Sequence, residues 1–308
     1  MTAPPRVSVV MSVYNGERQL RPSIQSVLAQ EGVDLELVIV DDGSTDGTAA
    51  VLDDFARRDG RIRVVQQENQ GLTKALIHGC ALARGSYIAR QDAGDLYLPW
   101  KLARQIEAFT ANPRAALVSC GTRFVGPGGE ILYELTGDGG NATQQLLTLD
   151  VNEIRGPFGH GSVLFRRDLY EQAGGYRPQF YFCQDLDLWI RMAELGEHVV
   201  ARELLFQVMF APGSISGHQR AKQVQTTKII LECARLRREG QSEAPALSRA
   251  EAIRPDGATV SPRDLAGALY FVGACLRRRD DPAARKYFVD ALRTYPLHLR
   301  SAVRVLFG

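Results

Sequence analysis

A chain of 308 residues with 45% hydrophobic composition can bury a sizeable core in one large domain or in two unequal ones. Its 37 basic and 35 acidic residues leave a net charge of +2, so the composition points away from nucleic acid as a partner. The 5 cysteines are scattered and form no C-x-x-C pair, which disfavours a zinc site or a disulfide framework. Without a signal peptide, or an apolar run near the roughly 20 residues that span a bilayer, the sequence predicts a soluble cytoplasmic protein with reduced thiols.

Strands and helices alternate along the first third of the chain. Apolar, β-branched runs predict strands at residues 7–13, 35–40, 61–65 and 87–89, and helical spacing of apolar residues predicts the helices between them. The continuous apolar character of the first runs indicates strands that are covered on both faces. This alternation predicts an α/β fold with a doubly wound, mostly parallel sheet.

The turn after the first strand excludes two common phosphate-binding loops. It reads Tyr14-Asn15-Gly16, where a dinucleotide-binding domain would have G-x-G-x-x-G, and the chain has no G-x-x-x-x-G-K-[ST] loop. The turn also lacks the Gly-rich, basic loop of a sugar-1-phosphate nucleotidyltransferase. We therefore expect a diphosphate to be held by a metal ion and side chains.

Two carboxylates, Asp92 and Asp95, follow the fourth predicted strand. The carboxyl ends of strands in open α/β sheets face the crevice in which ligands bind. Oxygen ligands of this kind suit a hard divalent ion that is shared with substrate phosphates. A solvated acidic turn is the alternative for an isolated D-x-x-D. Pro99 is expected in the first turn of the next helix, where its missing N–H costs nothing.

Shorter elements follow in the middle of the chain. The sequence predicts strands at residues 116–120, 131–133, 163–165 and 204–210, a hairpin turn at 126–130 and a helix through Leu188 and Met192. We interpret residues 136–152 as a variable region.

The chain becomes helical from residue 223 onward, which divides it into a domain of residues 1–222 and a C-terminal helical region of residues 223–308. One amphipathic helix is followed by a polar linker at 241–261 and by helices at 263–278, 282–294 and 297–306, which faintly resemble a tetratricopeptide pair. Basic clusters occur at Arg235, Arg237, Arg238, Arg277, Arg278 and Arg279. Solvated faces explain most such clusters, and peripheral contact with an anionic membrane is the alternative.

Four motifs together resemble the family 2 glycosyltransferases with the GT-A fold. They are V-Y-N-G at residues 13–16, V-D-D-G-S-T-D at 40–46, N-x-G-L at 69–72 and G-x-Y-I-A-R-x-D-A-x-D at 85–95. The resemblance extends from residue 7 to about residue 215. It implies a GT-A catalytic domain that binds a nucleotide-diphosphate sugar.

The resemblance implies a nucleotide site at the ends of the first strands, formed by Val13, Tyr14, Asn15, Asp41, Asp42, Lys74, Gln91 and Asp92. Either Asp41 or Asp42 would accept a hydrogen bond from the imide N–H of uracil or thymine, and the other would bind the Gly43–Ser44 turn. We favour Asp41 for the nucleotide.

The metal site departs from the family pattern. The family commonly has D-x-D or D-x-D-D where this chain has Asp92-Ala93-Gly94-Asp95, so Gly94 stands in place of a ligand. We expect Asp92 and Asp95 to hold Mn²⁺ or Mg²⁺ with His160, which lies in a His-x-Ser that the family shares. Weakened metal dependence is the alternative.

The run from Gln184 to Trp189 resembles the family's E-D-x-D-L-W motif, with Gln184 in place of the glutamate. Asp185 would be the catalytic base, which takes the proton of the acceptor hydroxyl. Because Gln184 is uncharged, we expect the pKa of Asp185 to be lower than it would be beside a charged glutamate. We expect Asp187 and Arg191 to brace the loop. The resemblance also suggests that Gln184, Trp189, His218 and Arg220 contact the diphosphate or the acceptor.

The predicted function is that of an inverting glycosyltransferase, which moves a sugar from a UDP-sugar to a hydroxyl of a glycan, a lipid-linked carrier or a small acceptor. Polysaccharide assembly in the cytoplasm, or at the inner face of the membrane, is the expected setting. The alternative is a non-catalytic, transferase-like scaffold that binds a nucleotide or a protein. The sequence leaves the sugar, the acceptor and the oligomeric state open.

Overall fold

The computed structural model describes residues 5–137, 140–213, 219–255 and 260–307. The first part of the chain forms β1 (Val7–Val13), α1 (Leu20–Leu28), β2 (Leu35–Asp41), α2 (Thr48–Arg58), β3 (Ile62–Gln66), α3 (Leu72–Ala81), β4 (Tyr87–Asp92), β5 (Leu96–Tyr97) and α4 (Lys101–Ala111). Then follow β6 (Ala115–Val125), β7 (Ile131–Leu135), α5 (Ala142–Leu147), a 3₁₀ turn (His160–Ser162), β8 (Leu164–Arg166), α6 (Arg167–Gln172), α7 (Gln184–Ala193) and β9 (Glu197–Met209). The C-terminal helices are α8 (Arg220–Arg238), α9 (Ala244–Glu251), α10 (Pro262–Arg277), α11 (Ala284–Thr294) and α12 (Leu299–Phe307).

The strands of the described residues form one sheet in the order β3-β2-β1-β4-β8-β6-β9-β5, with β7 paired to β6. The pairs β1–β2, β2–β3 and β1–β4 are parallel, whereas β8 is antiparallel to both β4 and β6. The α/β fold predicted from the sequence is confirmed, and its parallel part comprises the first four strands. In this register Val13 lies opposite Asp41, and Ser12 lies opposite Asp92. The carboxyl ends of β1, β2 and β4 therefore meet at one edge of the sheet.

Burial explains why the first strands form the centre of the sheet. Every residue of β1 and β2 is buried, as their largely apolar sequences predict, and the polar Ser8 and Glu36 are hydrogen-bonded to each other. Helix α7 packs against this sheet, since its Leu188 and Met192 lie in one buried cluster with Ile88 of β4 and Leu117 of β6. Burying each of these side chains stabilises the fold by about 1.5–3 kcal/mol, so the sheet fixes the position of α7.

Two predictions of local structure are wrong. Helix α4 begins at Lys101, so Pro99 precedes it, and Trp100 lies between them with a left-handed φ of 66°. Helix α9 lies inside the predicted linker at 241–261. Its Ala246 and Ala250 are buried in a cluster with Ile230 of α8. Small alanines gave this short segment a weak apolar pattern, although they let the helix approach its neighbour closely.

The chain divides into two compact units. The first comprises residues 1–122, 135–207 and 225–254, and the second comprises residues 123–134, 208–224 and 255–308. The domain boundary expected at residue 222 stays a prediction, because a division by packing does not test which segments fold independently. None of the helices in the described part of the chain is both long enough and apolar enough to cross a bilayer.

Candidate active site

The loops after β1 and β2 are joined through Asn15. Its backbone N–H donates to the Ser44 hydroxyl at 2.9 Å, and its side-chain Oδ1 accepts the Thr45 N–H at 2.8 Å. Asn15 has a left-handed φ of 52°, a conformation that asparagine tolerates better than most residues. These bonds hold the turn in place and leave the Tyr14 ring 54% exposed beside the end of β1. An exposed ring in this position is suited to stacking against a flat base.

The paired carboxylates after β2 are both buried but have different partners. Asp42 accepts bonds from the Gln67 amide at 2.7 Å and from the backbone N–H groups of Gln70 and Gly71 at 2.9 and 2.8 Å. Asp41 accepts the Ser44 N–H at 3.0 Å through Oδ1 alone. Its Oδ2 accepts no hydrogen bond from the described residues. Asp42 therefore anchors the loop after β3, whereas Asp41 both caps its own turn and retains an acceptor for a ligand. The expected division of roles is wrong in one respect, because Asp41, and not Asp42, binds the Gly43–Ser44 turn.

Arg90 of β4 is a buried cation at the centre of the site. Its side chain is 3% exposed and forms an ion pair with Asp92, two residues further along the strand. The guanidinium also interacts electrostatically with Asp95 and Asp185, and with Tyr176. Burial lowers the pKa of Arg90, and these neighbouring groups oppose that shift. Arg90 is thus paired with a carboxylate at the end of β4 and lies within the electrostatic range of one on α7.

The turn after β4 is fastened by Ser23 of α1. The Ser23 hydroxyl accepts the Gly94 N–H and donates to the Asp95 carbonyl, both at 2.8 Å. The Gln91 side chain, which is fully buried, donates to the same carbonyl at 2.5 Å. Gly94 has a φ of +103°, a conformation that L side chains rarely adopt. The backbone itself thus accounts for a glycine where the family pattern has a carboxylate.

His160 lies beside the same cation. Its Nε2 shares a 2.6 Å hydrogen bond with the Tyr176 hydroxyl, and its ring meets Trp189 edge-on at 6.0 Å between centroids. Burial and the charge of Arg90 hold the pKa of His160 well below its usual range, so the imidazole is neutral. Trp189 is 4% exposed and its ring fills the space at Gly156, which makes it a packing residue in this structure.

Asp185 lies in the first turn of α7. The helix begins after Cys183, whose φ of 54° turns the chain sharply, and the Leu186 N–H donates to Asp185 Oδ1 at 2.9 Å. Burial raises the pKa of Asp185, while the Leu186 N–H and the positive charge of Arg90 oppose this shift. Burial thus places the pKa of Asp185 above its usual range. That Gln184 keeps this pKa lower than a glutamate would stays a prediction.

Asp187 fixes α7 to the rest of the first unit. It is 1% exposed and forms ion pairs with Arg177 and, at 2.6 Å, with Arg191. Arg177 also binds Glu243, just before α9, at 2.6 Å. The bracing role expected for Asp187 and Arg191 is confirmed, and it keeps the turn that carries Asp185 in a defined position.

A divalent ion fits this site only if a bound substrate supplies part of its coordination. The described part of the chain contains no group of three His, Cys, Asp or Glu side chains arranged to hold a metal. Asp92 remains suitable, because its side chain is 38% exposed at the strand end, and Mg²⁺ is commonly held by one or two carboxylates together with substrate phosphates. His160 fits less well, since Tyr176 already binds its Nε2.

The other predicted residues are less closely tied to this site. Lys74 is exposed on α3, and Gln184 is buried at the start of α7. Arg220 belongs to the second unit, where it lines a cavity. His218 lies outside the described residues.

Sequence reasoning missed the roles of Arg90, Tyr176 and Ser23. Arg90 had a recognisable signal, because a charged residue inside an apolar strand requires a buried partner. Tyr176 and Ser23 had none, since each acts through a contact between segments that are far apart in the sequence.

Comparisons with known proteins agree on one family. The family model described as glycosyl transferase family 2 matches residues 8–174. A putative glycosyltransferase of Bacillus subtilis, EpsE, is 36% identical over 200 residues, which cover 64% of this chain and 69% of that protein. The O-antigen biosynthesis glycosyltransferase WbnJ of Escherichia coli is 29% identical over 187 residues, covering 60% and 71% of the two chains.

Solved structures share the fold. The mannosyltransferase PcManGT of Pyrobaculum calidifontis, in complex with GDP-Man and Mn²⁺, matches 99% of this chain and 88% of its own with a TM-score of 0.57 at 18% identity. S. aureus TarS 1-349, in complex with UDP-GlcNAc, matches 98% of this chain and 76% of its own with a TM-score of 0.54 at 14% identity.

Proposed function

Since this chain belongs to glycosyl transferase family 2, we propose that it transfers a sugar from a nucleotide-diphosphate donor to an acceptor hydroxyl with inversion at the anomeric carbon. The proposal rests mainly on the position of Arg90. This residue pairs with Asp92 on β4 and interacts electrostatically with Asp185 on α7. Asp92 lies at the strand edge where a donor diphosphate would bind. Because the same guanidinium interacts with Asp185, we propose that this carboxylate faces the reacting carbon.

In the proposed reaction, Asp185 is the general base. The acceptor oxygen forms a bond to the anomeric carbon as the bond from that carbon to the diphosphate oxygen breaks. The hydroxyl proton passes to the Asp185 carboxylate, and the nucleoside diphosphate leaves with the bonding electron pair. The cation of Arg90, two residues from Asp92, stabilises negative charge at this end of the sheet.

For the donor we propose a UDP-sugar. The Asp41 Oδ2, which accepts no bond from the described residues, is suited to the imide N–H of uracil, and the exposed Tyr14 ring is suited to stacking on the base. TarS, one of the structural neighbours, was solved in complex with UDP-GlcNAc, whereas PcManGT was solved in complex with GDP-Man. Competition between UDP and GDP therefore tests this choice directly.

We propose that Mn²⁺ or Mg²⁺ enters together with the donor. Asp92 would hold the ion, with Asp95 close by, and diphosphate oxygens would complete its coordination. When bound, the ion would neutralise charge on the departing diphosphate. Since the protein alone presents few ligands, we expect metal binding to depend on the nucleotide.

The proposed acceptor is a hydroxyl of a glycan, a lipid-linked carrier or a small molecule, in cytoplasmic polysaccharide assembly. WbnJ is named for O-antigen biosynthesis, which supports this setting. Of the region at 136–152, the described residues 136–137 and 140–152 would face the acceptor.

Calorimetry with UDP, with and without Mn²⁺, tests the proposal against a non-catalytic scaffold. We expect UDP to bind more tightly with Mn²⁺, and we expect slow hydrolysis of the correct UDP-sugar. Asp41→Asn should weaken binding, whereas the matched change Asp53→Asn, at an exposed carboxylate on α2, should not. The absence of nucleotide binding would support the scaffold instead.

A further inference from the structure

Helix α12 presents an apolar face to solvent. Leu299, Val303 and Leu306 recur at the spacing of one helical face, and they are 76%, 55% and 72% exposed. Leu297, just before the helix, is 71% exposed. The opposite side holds the helix in place, because Val305 packs on the buried cluster of the second unit. The exposed leucines are therefore not needed to fasten α12.

Positive charge surrounds this apolar face. The second unit has 12 Lys and Arg against 7 Asp and Glu in its sequence, a net charge of +5. Residues 291–307 contain Arg293, Arg300 and Arg304 and no acidic residue. Arg293 pairs with Asp290, whereas Arg300 and Arg304 form no ion pair with any residue that the structure describes. Arg300 neighbours Val303 at i,i+3 on the helix, and Arg304 follows Arg300 at i,i+4.

A cavity of the second unit continues the same surface. Its volume is about 1140 Å³, and its lining includes Leu297, Leu299 and Phe271 together with Arg263 and Arg300. Phe271 is itself 40% exposed. Asp264 is the acidic residue among the lining residues, and its carboxylate accepts the Ser261 hydroxyl at 2.7 Å. The cavity lining thus combines apolar and cationic side chains, as the exposed face of α12 does, and it includes Leu299 and Arg300 of that helix.

The arginine cluster on α8 does not offer a comparable surface. Arg235 pairs with Glu239, and Arg237 and Arg238 both pair with Glu194. Arg237 also pairs with Glu243, so each of the three arginines has an ion-pair partner within the first unit. The structure therefore moves the candidate membrane surface from that cluster to α12.

We propose that α12 docks on the surface of an anionic phospholipid bilayer. Leu299, Val303 and Leu306 would enter the headgroup region, and Arg300 and Arg304 would contact lipid phosphates. A second copy of this chain is a poorer occupant. In a two-fold interface the same patch meets itself, which would bring these arginines together without carboxylates to pair with them. The inference goes beyond the proposed transfer reaction and does not depend on it.

The test is co-sedimentation of the full chain with vesicles. We expect binding to vesicles of phosphatidylglycerol and phosphatidylcholine in equal parts, weakening with added salt, and little binding to phosphatidylcholine alone. The triple variant Leu299→Ser, Val303→Ser, Leu306→Ser should lose about tenfold or more in partitioning. The pair Arg300→Gln, Arg304→Gln should lose roughly fivefold for each charge removed.

Control variants use exposed leucines and arginines that lie elsewhere in the chain. Leu149→Ser with Leu195→Ser, which are 42% and 38% exposed, should bind vesicles as the wild type does. Arg278→Gln with Arg279→Gln should leave binding almost unchanged, although these exposed residues form the other arginine cluster of the second unit. Circular dichroism of each variant shows whether it is folded, so that loss of binding is not mistaken for unfolding.

Three results would overturn the proposal. The first is failure of the wild type to sediment with anionic vesicles, and the second is binding of the α12 variants that equals binding of the controls. A concentration-dependent dimer in light scattering that the triple serine variant abolishes would assign the face to a second copy instead.

Discussion

Arg90 and Asp92 form an ion pair at the end of β4 although the two side chains differ widely in exposure, at 3% and 38%. Alternate residues of a strand lie on the same face, so the buried guanidinium of Arg90 lies next to the exposed carboxylate of Asp92 along the strand. The same guanidinium interacts with Asp185 on α7. One arginine thus connects the proposed diphosphate site with the proposed base.

Replacing Arg90 should impair both stability and turnover. Arg90→Met leaves neighbouring carboxylates without their buried counter-charge, a change that typically costs about 3–5 kcal/mol. Arg90→Lys keeps a positive charge and should recover part of the stability and of kcat. Thermal unfolding and kcat/KM, measured on the two variants together, check this. Equal behaviour of Met and Lys would show that the charge is unimportant.

The pH dependence of transfer should report on Asp185. The base must be ionised to accept a proton, and burial raises its pKa, so activity should fall on acidification at a higher pH than an exposed aspartate would give. Gln184→Glu places a like charge beside it and should move this acid limb to still higher pH. The profile of kcat/KM against pH measures both effects. An acid limb that Gln184→Glu leaves in place would argue against Asp185 as the titrating group.

Substitutions of the two carboxylates after β2 should have different effects, one on the stability of the fold and the other on nucleotide binding. Asp42→Asn turns one acceptor oxygen into an N–H₂ group facing N–H donors, and should lower the free energy of unfolding by about 1–3 kcal/mol. Asp41→Asn retains an oxygen for the Ser44 N–H and should chiefly weaken UDP binding, by roughly tenfold. Chemical denaturation and calorimetry on both variants distinguish these outcomes. The reverse pattern would assign the nucleotide to Asp42.

Restoring the family's carboxylate at position 94 should not create a better metal site. Gly94 has a φ of +103°, and a Cβ there would face the Gln19 side chain at 3.4 Å. Gly94→Asp and Gly94→Ala should both lose about 1–3 kcal/mol of stability through backbone strain. Mn²⁺ affinity in the presence of UDP should be the same in the two variants. A large gain for the aspartate alone would contradict this account of the turn.

Asp187 should stabilise the fold in a pH-dependent way. Burial raises its pKa, but Arg191 and Arg177 outweigh this effect, so the folded pKa lies below the unfolded one. Its contribution is therefore present at neutral pH and is lost as the pH falls through the folded pKa. Asp187→Asn should lower Tm markedly at neutral pH, and the difference in Tm between the variant and the wild type should become smaller on acidification. A gap that is independent of pH would mean that ionisation of Asp187 does not matter.

Much of the sheet could be predicted because its information is local. The apolar runs of β1 and β2 have almost the bounds that the structure shows, since strands covered on both faces need apolar residues throughout. The family resemblance located Asp92 and Asp185. The role of Arg90 could not be derived, because it depends on β4 and α7 meeting in space. Helix α9 was missed for a different reason, namely that its buried side chains are small alanines.

Transfer by Asp185→Asn, measured in single turnover with the donor already bound, tests the central claim most directly. The substitution keeps the size of the side chain and an oxygen for the Leu186 N–H but removes the proton acceptor. We predict that transfer falls by about 10²–10⁴-fold while the Kd for the UDP-sugar stays within about twofold of the wild type. Transfer at the wild-type rate, with the donor bound normally, would contradict the account.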